Sequence, residues 1–253
     1  MKTHIKHFFA FASIGTLVIF TVPSISLAAK SDLVAAKIPP ICTNLSANQT
    51  KATTEIDNRI SKLTQAHSAR DTSLAAERAK VDAKIKTDRA KWDANRLAEY
   101  AKLEAKATTA AQKQAVATFE STVNAAVVSR RSAVDVADAA FRQGVDQLIA
   151  NHRAGQDEAV ATFKAAVGSA FAQAQASCTA ANPNGVTIRT TLVVALKLAR
   201  STLASSLAST DKVNGNIAPL EATRKAAVAA ADATHKAAVT QAATVLKAAL
   251  KQK

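Results

Sequence analysis

The chain has 253 residues, with 33 Lys and Arg against 19 Asp and Glu, a formal net charge of +14. Aromatics make up 4%, there are six glycines and five prolines, and alanine supplies much of the hydrophobicity. Alanine buries little area, so this composition excludes a thick globular core and favours long, closely packed helices.

Lys2 and Lys6 precede an apolar run over residues 8–22. The run suits a signal-peptide core and is short for a membrane span. Pro23 breaks it, and Ser26-Leu27-Ala28 supplies a small-x-small cleavage pattern. The sequence therefore predicts a signal peptide over residues 1–28 and export to a periplasm, cell surface or extracellular space. The alternative is an uncleaved N-terminal helix that anchors the chain in a membrane. Cleavage takes away two lysines and no acids, which leaves a net charge of +12. Residues 29–42 read as an extended lead-in, because a residue before proline avoids the helical region and Ile38 precedes Pro39-Pro40. Thr43 or Asn44 is suited to cap the first helix. Asn44-Leu45-Ser46 and Asn48-Gln49-Thr50 match the glycosylation pattern, which matters only in a source that glycosylates.

Residues 43–178 contain no proline and read as alanine-rich helix, interrupted at Thr108-Thr109. Leu63, His67, Arg70, Leu74, Arg78, Val81, Ile85, Arg89, Trp92, Arg96, Tyr100 and Leu103 form a stripe with an eleven-residue period. That period implies nearly straight helices with slight right-handed winding. Its arginines are expected to lay their stems along the seam and keep their heads in water. Thr109 with Gln112 fits a capping box for a second helix. There Val116, Val127, Ile149, Val160 and Phe171 share one grid, interrupted by Asp138, and AVATF occurs at both 115–119 and 159–163.

Folding the stretch near Ala110 brings Leu103 to Val116, Tyr100 to Phe119, Trp92 to Val127 and Ile56 to Phe163. It also brings Cys42 to Cys178, the only two cysteines. In an exported chain without CxxC spacing, these favour a disulfide over a metal or redox pair. Over so long a loop it is worth about 4–5 kcal/mol in the loop-entropy picture. Some layers match poorly, with Arg89 facing Arg130 and Arg78 facing Phe141. Gly144 and Gly155 weaken the second arm, and a break at Gly155 stays open.

Residues 179–253 read as a two-helix segment. Asn182-Pro183-Asn184-Gly185 is a turn cluster, and a third helix follows over about 186–209. Lys197 and Arg200 in its middle argue against a membrane span. Residues 211–215 read as the next loop, with Pro219 in the first turn of a fourth helix. The expected fold is all-α: a long antiparallel helical hairpin of eleven-residue coiled-coil type, stapled by the disulfide. A shorter C-terminal helical hairpin is expected to pack at its base. The outer arm is then a bare helix pair, which a homo-oligomer or another partner would cover.

No HExxH, GxSxG or glycine-rich phosphate loop occurs, and no Cys or His cluster has metal spacing. No enzyme activity, cofactor, metal or small-molecule substrate is expected. His67 and His152 should face each other across the seam, as a polar layer fixing register or as two imidazoles sharing an ion or a proton. Trp92, Tyr100 and Phe119 lie near the turn, either filling the seam or gripping an apolar partner. Residues 43–108 carry 13 basic and 9 acidic side chains, 109–178 carry 6 and 6, and those after 178 carry 10 and 3. Such a surface attracts anionic polymers, lipids and nucleic acid without selecting among them. The leading expectation is an exported, non-enzymatic scaffold, spacer or surface-binding protein.

Two resemblances add alternatives. The signal, the pI of about 10 and the helical arms resemble the periplasmic tentacle chaperones that escort outer-membrane proteins, which implies a holdase. No strands for their trimerising body are read in the sequence, so membership of that family is not expected. The eleven-residue, Ala/Lys/Thr-rich pattern is also similar to desiccation-protective proteins and lipid-binding apolipoproteins.

Overall fold

The computed structural model describes residues 38–210 and 213–251. The expected signal peptide and most of the lead-in lie outside the described residues. Four helices follow in order: α1 (Pro40–Lys106), α2 (Ala110–Cys178), α3 (Gly185–Thr210) and α4 (Val213–Leu250). No strand occurs among the described residues.

Local chemistry explains where the helices begin. α1 starts at Pro40, earlier than the Thr43 or Asn44 cap expected from the sequence. A proline at the first helical position gives up an N–H that the helix would not have used. Cys42 N–H donates to the Pro39 carbonyl, and the Thr43 hydroxyl donates back to the Pro40 carbonyl. At α2 the capping box forms: Gln112 N–H donates to Thr109 Oγ1, while Gln112 Oε1 accepts from the Thr108 and Thr109 amides. Asn184 Oδ1 accepts from the Val186 and Thr187 amides and so caps α3. α4 already includes Asn214-Gly215, so that turn signal loses to helix and Pro219 lies inside α4.

Contacts divide the chain into two compact units. Among the described residues, one comprises 38–70 with 151–210, the other 71–150 with 213–251. In the first unit the start of α1, the end of α2 and α3 share one core. It is built on Leu45, Ile56, Phe163, Phe171, Leu192 and Leu203. Phe171 is fully buried, and Phe163 nearly so. Cys42 and Cys178 are disulfide-bonded beside this core, with Cα atoms 5.7 Å apart.

In the second unit α4 packs against residues 71–106 of α1 and 110–150 of α2. Ala242 joins Tyr100 and Val123, and Leu246 joins Ala107 and Val116. α4 carries its own complement to α2: Arg224 pairs with Asp138, and Asp232 with Arg130 at 2.5 Å. Asp138, an interruption of the apolar grid in sequence, is thus a partner for α4.

α2 runs unbroken through both suspect glycines. A Cβ at Gly155 would stand 2.6 Å from Thr210 Cγ2 of α3. One at Gly144 would stand 2.8 Å from both Cδ atoms of Leu220 on α4. Each glycine trades helix propensity for close approach of a neighbour.

The disulfide closes a separation of 136 residues. Replacing both cysteines by serine is expected to cost about 2–4 kcal/mol, read from the shift in urea midpoint at constant slope. An unchanged midpoint would mean that the apolar contacts around Leu45 and Phe171 alone hold these helix ends.

Candidate functional site

The most organised polar feature is a ladder of ion pairs in the second unit. Arg78 donates to Asp146 at 2.8 and 3.0 Å, and Arg89 donates to Asp135 at 2.5 and 2.9 Å. Between them the polarity swaps. Arg142 donates to Asp82 at 2.5 and 2.9 Å, and Arg131 to Asp93 at 2.7 and 2.9 Å. Both oxygens of each carboxylate are engaged, the fork geometry at which arginine excels. Within each polarity the α1 members stand eleven residues apart, and so do their α2 partners. As the α1 number rises its partner's number falls, so the two helices run antiparallel within this unit.

One step further the ladder changes. Arg96 Nε and the Tyr100 hydroxyl both donate to Asn124 Oδ1, at 3.0 and 3.3 Å. The next rung sets Glu104 against Glu120, two acids where the preceding rungs have acid and base. Burial, and then the Glu104 charge, push the Glu120 carboxyl up, and its Oε1 is buried without a hydrogen-bond partner. Elsewhere the guanidinium partners act oppositely. Hydrogen bonds from Arg131 and then Arg96 hold the Asp93 carboxyl at about 2. Arg142 lowers Asp82, and Arg89 lowers Asp135.

Basic side chains sort by type. All twelve arginines are half-buried, whereas every lysine among the described residues with a side-chain placement is exposed. Lys80, Lys91 and Lys102 repeat the eleven-residue spacing on the outside of α1.

The sites expected from sequence divide. The structure joins Cys42 to Cys178. Tyr100 and Phe119 meet edge to face with centroids 6.2 Å apart. Trp92 is 50% exposed, so the expected Trp92–Val127 layer does not bury it. His67 Nε2 lies 3.2 Å from Gln156 Oε1, and His152 is buried. Burial and the Arg153 charge lower the His67 pKa. Among the described residues no three His, Cys, Asp or Glu side chains gather to hold a metal. Arg89 and Arg130, expected to oppose each other, each take a separate carboxylate. Arg78 does the same, while Phe141 carries the Arg224 guanidinium 5.6 Å above its ring. The sequence reading missed the ladder, although its signal was present: Arg78 and Arg89 match Asp146 and Asp135 at one spacing.

Two open grooves accompany these features. One lies in the second unit against the ladder and is lined by Ile85, Lys86, Arg89, Asp93, Asp135 and Arg142. The other, in the first unit, lies between α2 and α3 and is lined by Ala166, Ala170, Gln173, Ala195, Leu198 and Thr202. Neither lining sets a nucleophile beside a histidine base. No protein family, characterised protein or solved structure matches this chain.

Two sets of charge changes test the ladder. Arg89→Asp places two carboxylates together and should lower stability by about 1 kcal/mol, and the double variant Arg89→Asp/Asp135→Arg should recover most of that loss. Glu120→Arg should raise stability by up to about 1 kcal/mol by completing the acid–acid rung. Urea unfolding of the four proteins gives both answers. Equal loss in the single and double variants would show that the rungs carry no pairwise coupling.

The pH dependence has two signs. Asp82, Asp93 and Asp135 have folded pKa values below their unfolded ones, so their contribution is present above about pH 4 and lost as pH falls towards about 2. Glu120 is raised, so its contribution is present at low pH and lost as pH rises through its folded pKa. Thermal melts from pH 2 to 7 should show the first effect weakened in Asp93→Asn and the second absent in Glu120→Gln.

Proposed function

We propose that this is an exported, non-enzymatic helical scaffold whose lysine fringe holds it to anionic polymers. In this reading the two long helices form one antiparallel hairpin with an eleven-residue coiled-coil seam, and the chain acts as a spacer. The lengths of α1 and α2, 67 and 69 residues, support it: each spans about 100 Å at the helical rise. The observation that carries the binding half is the sorting of cations. Half-buried arginines fork aspartates across the ladder, whereas the lysines stand exposed, and those that pair, such as Lys84 with Asp88 and Lys102 with Glu99, do so at the surface. Such a fringe attracts polyanions by releasing their counterions, with steep salt dependence and little sequence preference.

The test is binding of the disulfide-bonded chain to mixed-sequence duplex DNA as a model polyanion, between 50 and 300 mM salt. Association should weaken steadily with salt and be indifferent to sequence. Lys80→Glu/Lys91→Glu/Lys102→Glu should weaken it at least tenfold and flatten the salt slope. Salt-independent binding, or none at 50 mM, would overturn the charge-driven reading. Suppression of aggregation of an unfolded membrane protein, without polyanion binding, would favour a holdase instead.

A further inference from the structure

α3 differs from the other helices on its outer side. Its inner side is committed to the first unit's core through Ile188, Leu192, Leu196, Ala199 and Leu203. The opposite side exposes Val186, Val193 and Val194, at 77%, 49% and 60%, and Leu198, 66% exposed, stands one turn on from Val194 at the rim of the groove with α2. The exposed positions between them are mostly hydroxyls, such as Thr187, Thr190 and Ser201. The helix contains Arg189, Lys197 and Arg200 and no Asp or Glu. By contrast, the outer face of α1 mixes lysines with Asp57, Glu77 and Glu99.

Among the described residues α3 is the helix long and apolar enough to cross a bilayer, judged by length and composition. Spanning would strip its inner leucines from Phe163 and Phe171. Lying on the bilayer would not. We propose that the outer face of α3 docks on an anionic lipid bilayer with its axis in the plane of the interface. Val194 and Leu198 enter the boundary between headgroups and chains. Lys197, exposed and between them in sequence, extends its amine to lipid phosphates.

The choice of occupant follows from charge. An apolar strip on a helix without acids, with Lys197 exposed among its side chains, complements a negative, partly apolar surface. A second copy packed symmetrically on this strip would set Lys197 near its equivalent, like charges with no carboxylate in either helix to separate them. A nucleic acid would satisfy the cations and leave four apolar side chains in water. The inference narrows the surface-binding reading above, on which it rests, to one face and one partner.

Co-sedimentation of the full disulfide-bonded chain with vesicles tests it, using 30% phosphatidylglycerol in phosphatidylcholine against phosphatidylcholine alone. The chain should partition to the anionic vesicles at least tenfold more strongly. Val194→Gln/Leu198→Gln should reduce that partition at least tenfold and leave duplex DNA binding unchanged. Both side chains are exposed, so unchanged helicity by circular dichroism is expected. Lys197→Glu gives an independent readout on the same face and should weaken vesicle binding at least threefold. Lys80→Glu/Lys91→Glu/Lys102→Glu should lose DNA and keep most vesicle binding, which separates failure of the lysine fringe from failure of the α3 face. Full vesicle binding by the Val194/Leu198 variant, equal binding to both lipids, or no vesicle binding by the natural chain each overturns the proposal. So does a dimer in lipid-free sedimentation that the Val194/Leu198 variant abolishes.

Discussion

Eleven residues of α-helix make almost three whole turns, so every eleventh side chain returns to nearly the same side. A helix built on that repeat presents its partner with identical positions at regular intervals and little drift. In the second unit the repeat is written in charge. Arg78 and Arg89 meet Asp146 and Asp135, and Asp82 and Asp93 meet Arg142 and Arg131. A slide of one residue would break all four pairs together and carry Tyr100 away from Phe119. Exposed ion pairs return only about 0–1 kcal/mol each, so their value lies in choosing one alignment among several alanine-rich ones. The apolar contacts supply the larger favourable term, and in this unit they include small clusters around Val116, Val123 and Leu246 and the buried Val145.

The first unit solves the same problem differently. Its seam carries Leu45, Ile56, Phe163 and Phe171, and α3 covers it with Leu192, Leu196 and Leu203. Large side chains with definite shapes fix alignment through packing, and fewer charges are needed. Of its polar pairs, Lys164 with Asp57 and Gln175 with Gln49 lie at the exposed flank, and His67 with Gln156 is part-buried. Close approach also does some of the work. α3 reaches α2 at Gly155, and Pro39 lies against Gly185, where an added Cβ would stand 2.7 Å from its ring.

Periodicity made the helices, their number and the Thr108–Thr109 interruption legible in the sequence. The cysteine pair and the Thr109–Gln112 cap were legible for the same reason: each depends on a few residues and a definite spacing. The placement of α4 was not. A helix tail with alanine on most faces offers no apolar stripe strong enough to name its neighbour, and its decisive residues, Arg224 and Asp232, read alone as surface charge. The turn signal at Asn214-Gly215 suggested a loop, yet helix prevails there. Arg89 opposite Arg130 failed because apolar alignment ignores reach. A guanidinium on a long stem finds a carboxylate several residues away on the facing helix, so ion pairs and apolar layers follow different numbering.

The separation of arginine from lysine connects this architecture to binding. A guanidinium keeps its planar fork and sheds water more readily than an ammonium, so half-buried pairing with aspartate suits it. Lysine holds a compact, strongly hydrated charge on a flexible stem and belongs outside. An aspartate forked by an arginine within the ladder is less available to neutralise a lysine on the outer surface. Six of the 19 acids, Asp82, Asp93, Asp135, Asp138, Asp146 and Asp232, pair with an arginine on another helix and so serve alignment. On α3 the logic goes further. With no acid in the helix and Leu192, Leu196 and Leu203 turned inward, Lys197 stands among exposed apolar side chains, where a polyanion alone would leave Val194 and Leu198 in water.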